Sequence, residues 1–573
     1  MKRCLTMTTI NNFRNSKCLF YFSLLVLGPV LFLSTTGVFA QGINEQVTVV
    51  GSYEPSIPDV SKINISPAPS ESEVKLPVIS YNISPVQQEV ALSPEEIPAV
   101  KLVGEPQKTL LRNYIRAGFG NYTTPYAEFW ANSLRSKSHS LGVHLKHLSS
   151  SGEIKDFPIS SNSVNLAELQ GRKFLDEHTL SAGVSFKRNV VHHYGFDPGD
   201  FELMMKDDQL KQHFNRFGAS AGIQSNYSGN DRLNHKALLA FKNTSDRFNT
   251  RESSVSLLAS ADKRFEVLDF TDEQQIGLDA RLEFTGYKDS TLSQASTIVS
   301  LKPYIGTTFN EYTIRAGIDL SFQGDSVSKA YMFPFAEARL SIVDEALGVY
   351  AGITGGLERK GFDRLAAENP FIQSVLPLRY TREKFIFYGG ANARAGKRFN
   401  FYASFRAGMV DNAVFFVNDF SVEPYNRFTL VYDDGSMVAG RLEAEFVSVE
   451  KIRIKAFAAF EKWDLKHEEK AWHKPGTTLG AEAAYNLGDK ILARATVTAA
   501  GKQYARLSGG ETNSRHYETV KGYTDLSFAF EYRYTRQLSA FLNLNNVLGS
   551  RQYHWYNYPG YRFNLLGGIA YSF

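Results

Sequence analysis

RFNLLGGIAYSF, Arg562 to Phe573, decides how the rest of the chain is read. Every second residue back from the end is Phe573, Tyr571, Ile569, Gly567, Leu565 and Phe563. The intervening residues are Ser572, Ala570, Gly568, Leu566, Asn564 and Arg562. One register is apolar and largely aromatic, and the other is mostly small or polar. A period of two is the signature of a β-strand. In a soluble sheet the apolar face would lie on a core. In a membrane barrel it meets lipid, and the small or polar face lines the interior. Recurrence of the pattern decides between the two.

The pattern recurs from residue 112 onward. Outward registers include Leu180-Ala182-Val184-Phe186, Ile276-Leu278-Ala280-Leu282-Phe284 and Tyr312-Ile314-Ala316-Ile318-Leu320-Phe322. They continue with Phe399-Phe401-Ala403-Phe405, Ile452-Ile454-Ala456-Ala458-Phe460, Leu526-Phe528-Phe530-Tyr532 and Leu538-Ala540-Leu542-Leu544. About 22 such segments fit between 112–121 and 560–573, within two to four residues at each boundary. No apolar run long enough for a membrane helix occurs outside the N-terminus, and alternating strands escape a hydropathy search. The expected fold is therefore all-β: a transmembrane antiparallel β-barrel over 112–573.

Connection lengths support this independently. Counted back from Phe573, short links fall at Tyr534-Thr535, Gly488-Asp489, Glu450-Lys451, Ala395-Gly396, Val343–Glu345, Phe309-Asn310 and Phe174–Asp176. Long links at 149–160, 190–211, 360–377, 410–435, 466–473, 505–515 and 549–559 fall on the other side. Outer-membrane barrels have short periplasmic turns and long outer loops. The inward register mixes both charges, among them Arg116, Glu128, Lys146, Arg281, Glu283, Arg441 and Glu443. Such residues can pair across strands to stabilise a polar lumen.

The first forty residues read as a signal peptide. Lys2, Arg3, Arg14 and Lys17 precede an apolar run from Leu19 to Leu33, and Val38-Phe39-Ala40 offers a small-residue cleavage site. Both cysteines, Cys4 and Cys18, lie inside it. A mature chain without cysteine has no disulfide and no thiolate metal site. Cleavage also removes four basic residues, so net charge falls to about zero and nothing points to nucleic acid.

Residues 41–111 form a proline-rich, acidic leader. It contains Pro55, Pro58, Pro67, Pro69, Pro77, Pro85, Pro94, Pro98 and Pro106, and only Tyr53 and Tyr81 are aromatic. Proline at this density denies ladder hydrogen bonds and favours extended backbone. The leader is either a flexible linker or an extended segment laid along a partner. Near its start stand Glu45, Gln46, Val47, Thr48, Val49 and Val50, followed by Gly51. This heptad resembles a TonB box, the motif that pairs with the energy transducer TonB as an added strand.

The C-terminal end is similar to that of TonB-dependent receptors. Asn546-Val547-Leu548-Gly549, Tyr553, Pro559-Gly560-Tyr561-Arg562 and the final strand through Phe573 carry the resemblance. It implies a 22-strand barrel in the cell outer membrane. It also implies surrounding lipid and folding by the barrel assembly machinery, with Phe573, Tyr571 and Ile569 as the assembly signal. The chain departs from the family where a folded plug is expected, because the leader holds neither a Leu-x-x-x-Pro-Gly-Val nor an Ile-Arg-Gly element. This looks like a plugless or minimally plugged relative of the kind common in Bacteroidota.

No enzyme is expected. His467-Glu468-Glu469 and His473 imitate a zinc-protease motif, but their histidines are six apart and do not share a helix face. His192-His193 is a weak surface candidate. No metal and no cofactor are expected. In the last outer loop Trp555, Tyr556 and Tyr558 are candidate ligand contacts by stacking, or half of an interfacial aromatic girdle. Two functions stay open. One is uptake or binding of an external ligand. The other is a structural or accessory barrel of an outer-membrane assembly or secretion complex, with a periplasmic or lipoprotein partner. Deleting Phe573 should lower outer-membrane levels and raise periplasmic degradation, and immunoblots of fractionated cells read both.

Overall fold

The computed structural model describes residues 111–157, 159–196, 207–227, 232–268, 271–421, 423–448, 451–507 and 517–573. The expected signal peptide, the leader up to residue 110 and the TonB-box-like heptad lie outside the described residues.

Twenty-two strands form one closed sheet in which every pair is antiparallel. Most pair with their sequence neighbours, and the ring closes where Asn113–Gly120 meets Asn564–Ser572. At that seam the backbone N–H groups of Arg112 and Asn113 donate to the Phe573 oxygen at 3.0 and 2.8 Å. The Phe573 N–H returns a bond to Asn113 at 2.9 Å. Closure leaves no unpaired edge, which a sheet in hydrocarbon cannot tolerate.

The alternation read from sequence is the alternation observed. Val184, Phe186, Ile276, Phe284, Ile314, Phe322, Phe401, Phe405, Ile569, Tyr571 and Phe573 project outward and exposed. Outward apolar residues on a closed sheet form a lipid-facing band. Links at one end are tight. Asn310, Glu345, Gly396, Gly488 and Asp489 all have φ between +48° and +62° there. Two consecutive residues in that region, as at Gly488-Asp489, suit a two-residue hairpin turn.

The expected outer loop 410–435 is different. Strands Phe399–Asn418 and Phe428–Ser448 run through most of it, with 20 and 21 residues, and leave only 419–427 as a loop. A barrel crossing needs about 9–11 residues, so this hairpin projects well beyond the membrane. Alternation failed as a signal because both faces are buried. Phe416 and Phe428 pack into one cluster, and Phe415 and Val417 into another. The alternation in the sequence predicts strands over 490–504 and 516–533, and both break. Ile491–Ala500 and Tyr523–Arg533 remain in the barrel, while Gln503–Arg506 and Tyr517–Val520 pair as a separate outer hairpin.

On the lumen face, aromatic rings lie flat across glycines of the neighbouring strand. Tyr304 stands opposite Gly277, where an added Cβ would sit 2.2 Å from its ring. Phe457 stands opposite Gly480 with the same 2.2 Å approach. Rings placed this way shield glycine backbone and fix register. Gly277→Val should therefore destabilise the barrel by about 1–3 kcal/mol through overpacking. The folded band on unboiled gels should disappear at a lower temperature, and a second change, Tyr304→Ala, should recover part of the loss.

Candidate functional site at the outer mouth

The outer loops interlock into a lid. Its centre is the 360–379 connection, which carries a short helix, Phe362–Glu368. Phe362, Leu365 and Ile372 are fully buried there with Phe214, Tyr287, Phe416, Phe428 and Tyr558. These partners come from strands well separated around the ring, so the connection crosses the mouth.

Each side of the crossing is anchored by polar contacts. On the near wall the Glu252 carboxylate accepts the Phe362 and Asp363 amides at 2.7 and 3.1 Å. Asp363 accepts from Arg216 Nε and from Thr244 Oγ1, both at 2.8 Å. Tyr287 donates its hydroxyl to Ser374 O at 3.1 Å and accepts the Leu376 amide at 3.2 Å. On the far side the lid adds a strand. Gln373 N–H donates to Phe428 O at 2.9 Å, Phe428 N–H donates to Phe371 O at 3.1 Å, and Ile372 pairs parallel with Phe428. This occupies backbone groups that the long hairpin would otherwise present as an open edge.

A second layer covers the other face of that hairpin. Trp472, from the 466–476 loop, is buried with Phe415, Val417 and Met437, and Tyr504 and Tyr517 pack beside it. An ion triad ties this loop to the crossing helix: Glu368 meets Lys474 at 3.1 Å and Lys360 at 3.6 Å. Burial alone would raise the Glu368 carboxyl, but Lys474 and Lys360 outweigh it and hold the group below its usual value.

The residues expected as loop contacts sit inside this lid. Tyr558 is 2% exposed, stacks on Phe371 at 3.7 Å and donates to Asn426 O. Trp555 is half-buried, edge-on to Phe416 and Phe428 at 5.1 and 5.5 Å. Tyr556 is half-buried and donates its hydroxyl to Glu518 at 2.7 Å. The histidines of the imitated zinc motif lie apart in role. His467 Nδ1 meets Asp433 at 2.7 Å. His473 is buried, its Nδ1 donating to Phe416 O at 3.0 Å and its Nε2 accepting the Tyr556 amide at 3.4 Å. Among the described residues no group of three ligands is placed to hold a metal.

Sequence reading missed the lid because loop composition does not say which loops meet. Strong burial of His473 and the nearby Lys474 lower its pKa to about 4. Burial and Arg427 lower His193 to about 3. Both histidines are therefore neutral in the closed lid at neutral pH.

Below the lid the lumen wall carries paired charges. Arg281 meets Glu283 at 2.5 Å, Arg339 meets Glu337 at 2.8 Å and Arg453 meets Glu445 at 2.7 Å. Near the seam, Glu128 accepts from Tyr126 and lies 2.9 Å from His144, which stacks on Trp130. Arg116 sits 3.6 Å over the Phe541 ring.

Fold and mouth together define an outer-membrane β-barrel of receptor size. Solved structures of receptors and transporters share the barrel fold. One is the ferripyoverdine receptor of the outer membrane of Pseudomonas aeruginosa bound to ferripyoverdine. It is 12% identical, with 81% of this chain and 72% of that chain covered and a TM-score of 0.61. A second is the siderophore receptor PirA from Acinetobacter baumannii: 11% identity, 81% and 80% covered, TM-score 0.60. A third is the FrpB iron transporter from Neisseria meningitidis: 11% identity, 82% of each chain covered, TM-score 0.61. No family model and no curated protein matches the chain.

The lid should loosen on acidification. An opened lid protonates His473 near its ordinary value of 6.5, whereas the closed lid resists until about 4. Opening therefore takes up a proton, and closure weakens as pH falls from 6.5 to 4. At pH 5 the shift favours opening about thirtyfold through His473 alone. Hydrogen exchange of the 362–376 amides, corrected for intrinsic rates, should show this rise, and His473→Gln should flatten it.

Proposed function

We propose that the chain is a TonB-dependent-receptor-type barrel that binds an external ligand and admits it to the lumen when the lid opens. The interlocked lid carries this reading. It closes the outer mouth through many moderate contacts, including neutral buried histidines and the Glu368 ion triad, rather than through a continuous covalent or sheet closure. Such an element can have two states whose balance a ligand shifts by its differential affinity. Trp555 and Tyr556, half-buried in the lid, are the aromatic surfaces a ligand would engage by stacking. The protein acts as a transporter and not as an enzyme.

The energy for opening would come through the heptad at Glu45–Gly51, paired with TonB as an added strand. A photo-reactive residue at Val47 should crosslink to TonB in living cells, and Val49→Pro, which removes a backbone donor, should abolish the crosslink without lowering barrel levels.

The short proline-rich leader favours a second reading, an accessory barrel attached to a periplasmic or lipoprotein partner. No crosslink to TonB, together with a stoichiometric partner on purification from native membranes, would establish that reading and remove the first.

A further inference from the structure

Beneath the lid, one row of the lumen wall runs across five strands. Lys146 pairs with Leu166, Leu166 with Lys187, Lys187 with Arg216 and Arg216 with Thr244. All five side chains share the inward face, because Leu145, Val184, Phe186 and Phe217 beside them point outward and exposed. These five positions hold three cations, and the row is bounded by an acid at each end, Glu128 opposite Lys146 and Glu252 opposite Thr244.

Like charges directly opposite each other on neighbouring strands destabilise a sheet. Lys187 stands directly opposite Arg216, and neither Lys187 nor Lys146 forms an ion pair among the described residues. The nearby carboxylates are committed elsewhere. Glu128 is held by Tyr126 and His144, and Glu168 faces His144 Nδ1 at 3.3 Å. Asp363 takes only the Nε of Arg216. Among the described residues the two terminal nitrogens of that guanidinium, Nη1 and Nη2, have no acceptor, and in this conformation they are closed off from solvent. A guanidinium with both terminal nitrogens unoccupied matches the two oxygens of a carboxylate or phosphate. Elsewhere on the wall some arginines meet acids of their own strand or its neighbour, as at Arg281–Glu283 and Arg453–Glu445, and others lie over rings, as Arg116 over Phe541.

We propose that Arg216, Lys187 and Lys146 form an anion subsite on the lumen wall beneath the lid, fitted to a solute bearing two or more carboxylate or phosphate groups. Neighbouring strands lie about 4.8 Å apart. Arg216 and Lys187 therefore bracket one anionic group, and Lys146, two strands further, reaches a second about 10 Å away. The inference deepens the receptor reading and rests on it for its biological meaning, since a solute admitted past the lid would meet this row. Sequence alternation already placed Lys146 inward. Lys187 and Arg216 follow by the same parity, but only the register shows that they stand side by side.

Pyrophosphate is the probe, titrated calorimetrically into the full-length protein in detergent at low salt. Saturable binding is expected, weakened about tenfold or more by Lys187→Gln and by Arg216→Gln, as loss of one charge-assisted bond requires. Lys302→Gln, another lumen-wall cation that lies over the Phe335 ring at 4.9 Å, should leave it unchanged. Unboiled gels confirm that each variant is folded. Absence of saturable binding overturns the proposal, and so does an equal loss in Lys302→Gln, which would mean diffuse lumen charge. The titration needs neither cells nor TonB. A failed crosslink at Val47 together with a stoichiometric partner would remove the receptor reading and leave the subsite standing, and absent binding would do the reverse.

Discussion

An N–H group in hydrocarbon has no water to fall back on, and each one left unpaired costs several kcal/mol. The seam between Asn113–Gly120 and Asn564–Ser572 is where this chain meets that requirement, because the two strands are at opposite ends of the described chain. Without those bonds the sheet has two open edges, and every other strand pairing stands in an open sheet that cannot span. Gly118 and Gly568 face each other there, and Phe541 lies across both. The backbones approach so closely that a Cβ on Gly118 would meet the Gly567 oxygen at 2.6 Å.

The lid answers the same requirement outside the membrane by different means. The hairpin of Phe399–Asn418 and Phe428–Ser448 outruns its neighbours and so exposes backbone beyond Gly435, where its partner strand Ile452–Leu465 ends. The 371–373 segment supplies part of the missing partner. Apolar side chains on both faces of the hairpin then gather loops from distant strands. A closed mouth follows from one overlong hairpin whose two faces and one edge each need covering.

How much of this was legible in the sequence depends on whether a residue faced one environment or two. Strands with lipid outside and a polar lumen inside alternate, so Leu180 to Phe186 and Tyr312 to Phe322 were read in the observed orientation, and so was the number of strands. The Val414–Val417 run is apolar at every position, because each face has a core of its own, and period-two reading took it for a loop. Phe573, Tyr571 and Ile569 emerged where expected, on the lipid side of the closing strand. Trp555, Tyr556 and Tyr558 were singled out for their aromatic character. No local pattern distinguishes a ring at a surface from one such as Tyr558 that stacks on Phe371, almost two hundred positions away. The Lys187–Arg216 juxtaposition is likewise a matter of register, which parity alone does not fix.

Arg112 and Phe573 are bonded to each other, and the strand that begins at Asn113 continues directly from the leader. Any tension applied to the leader along that strand's axis would therefore load the seam in shear. Its hydrogen bonds run perpendicular to the strands, so all would share the force at once instead of parting one after another. A chain tugged from its N-terminal side would hold its ring shut under a load that would peel the same strand away if it came from the side.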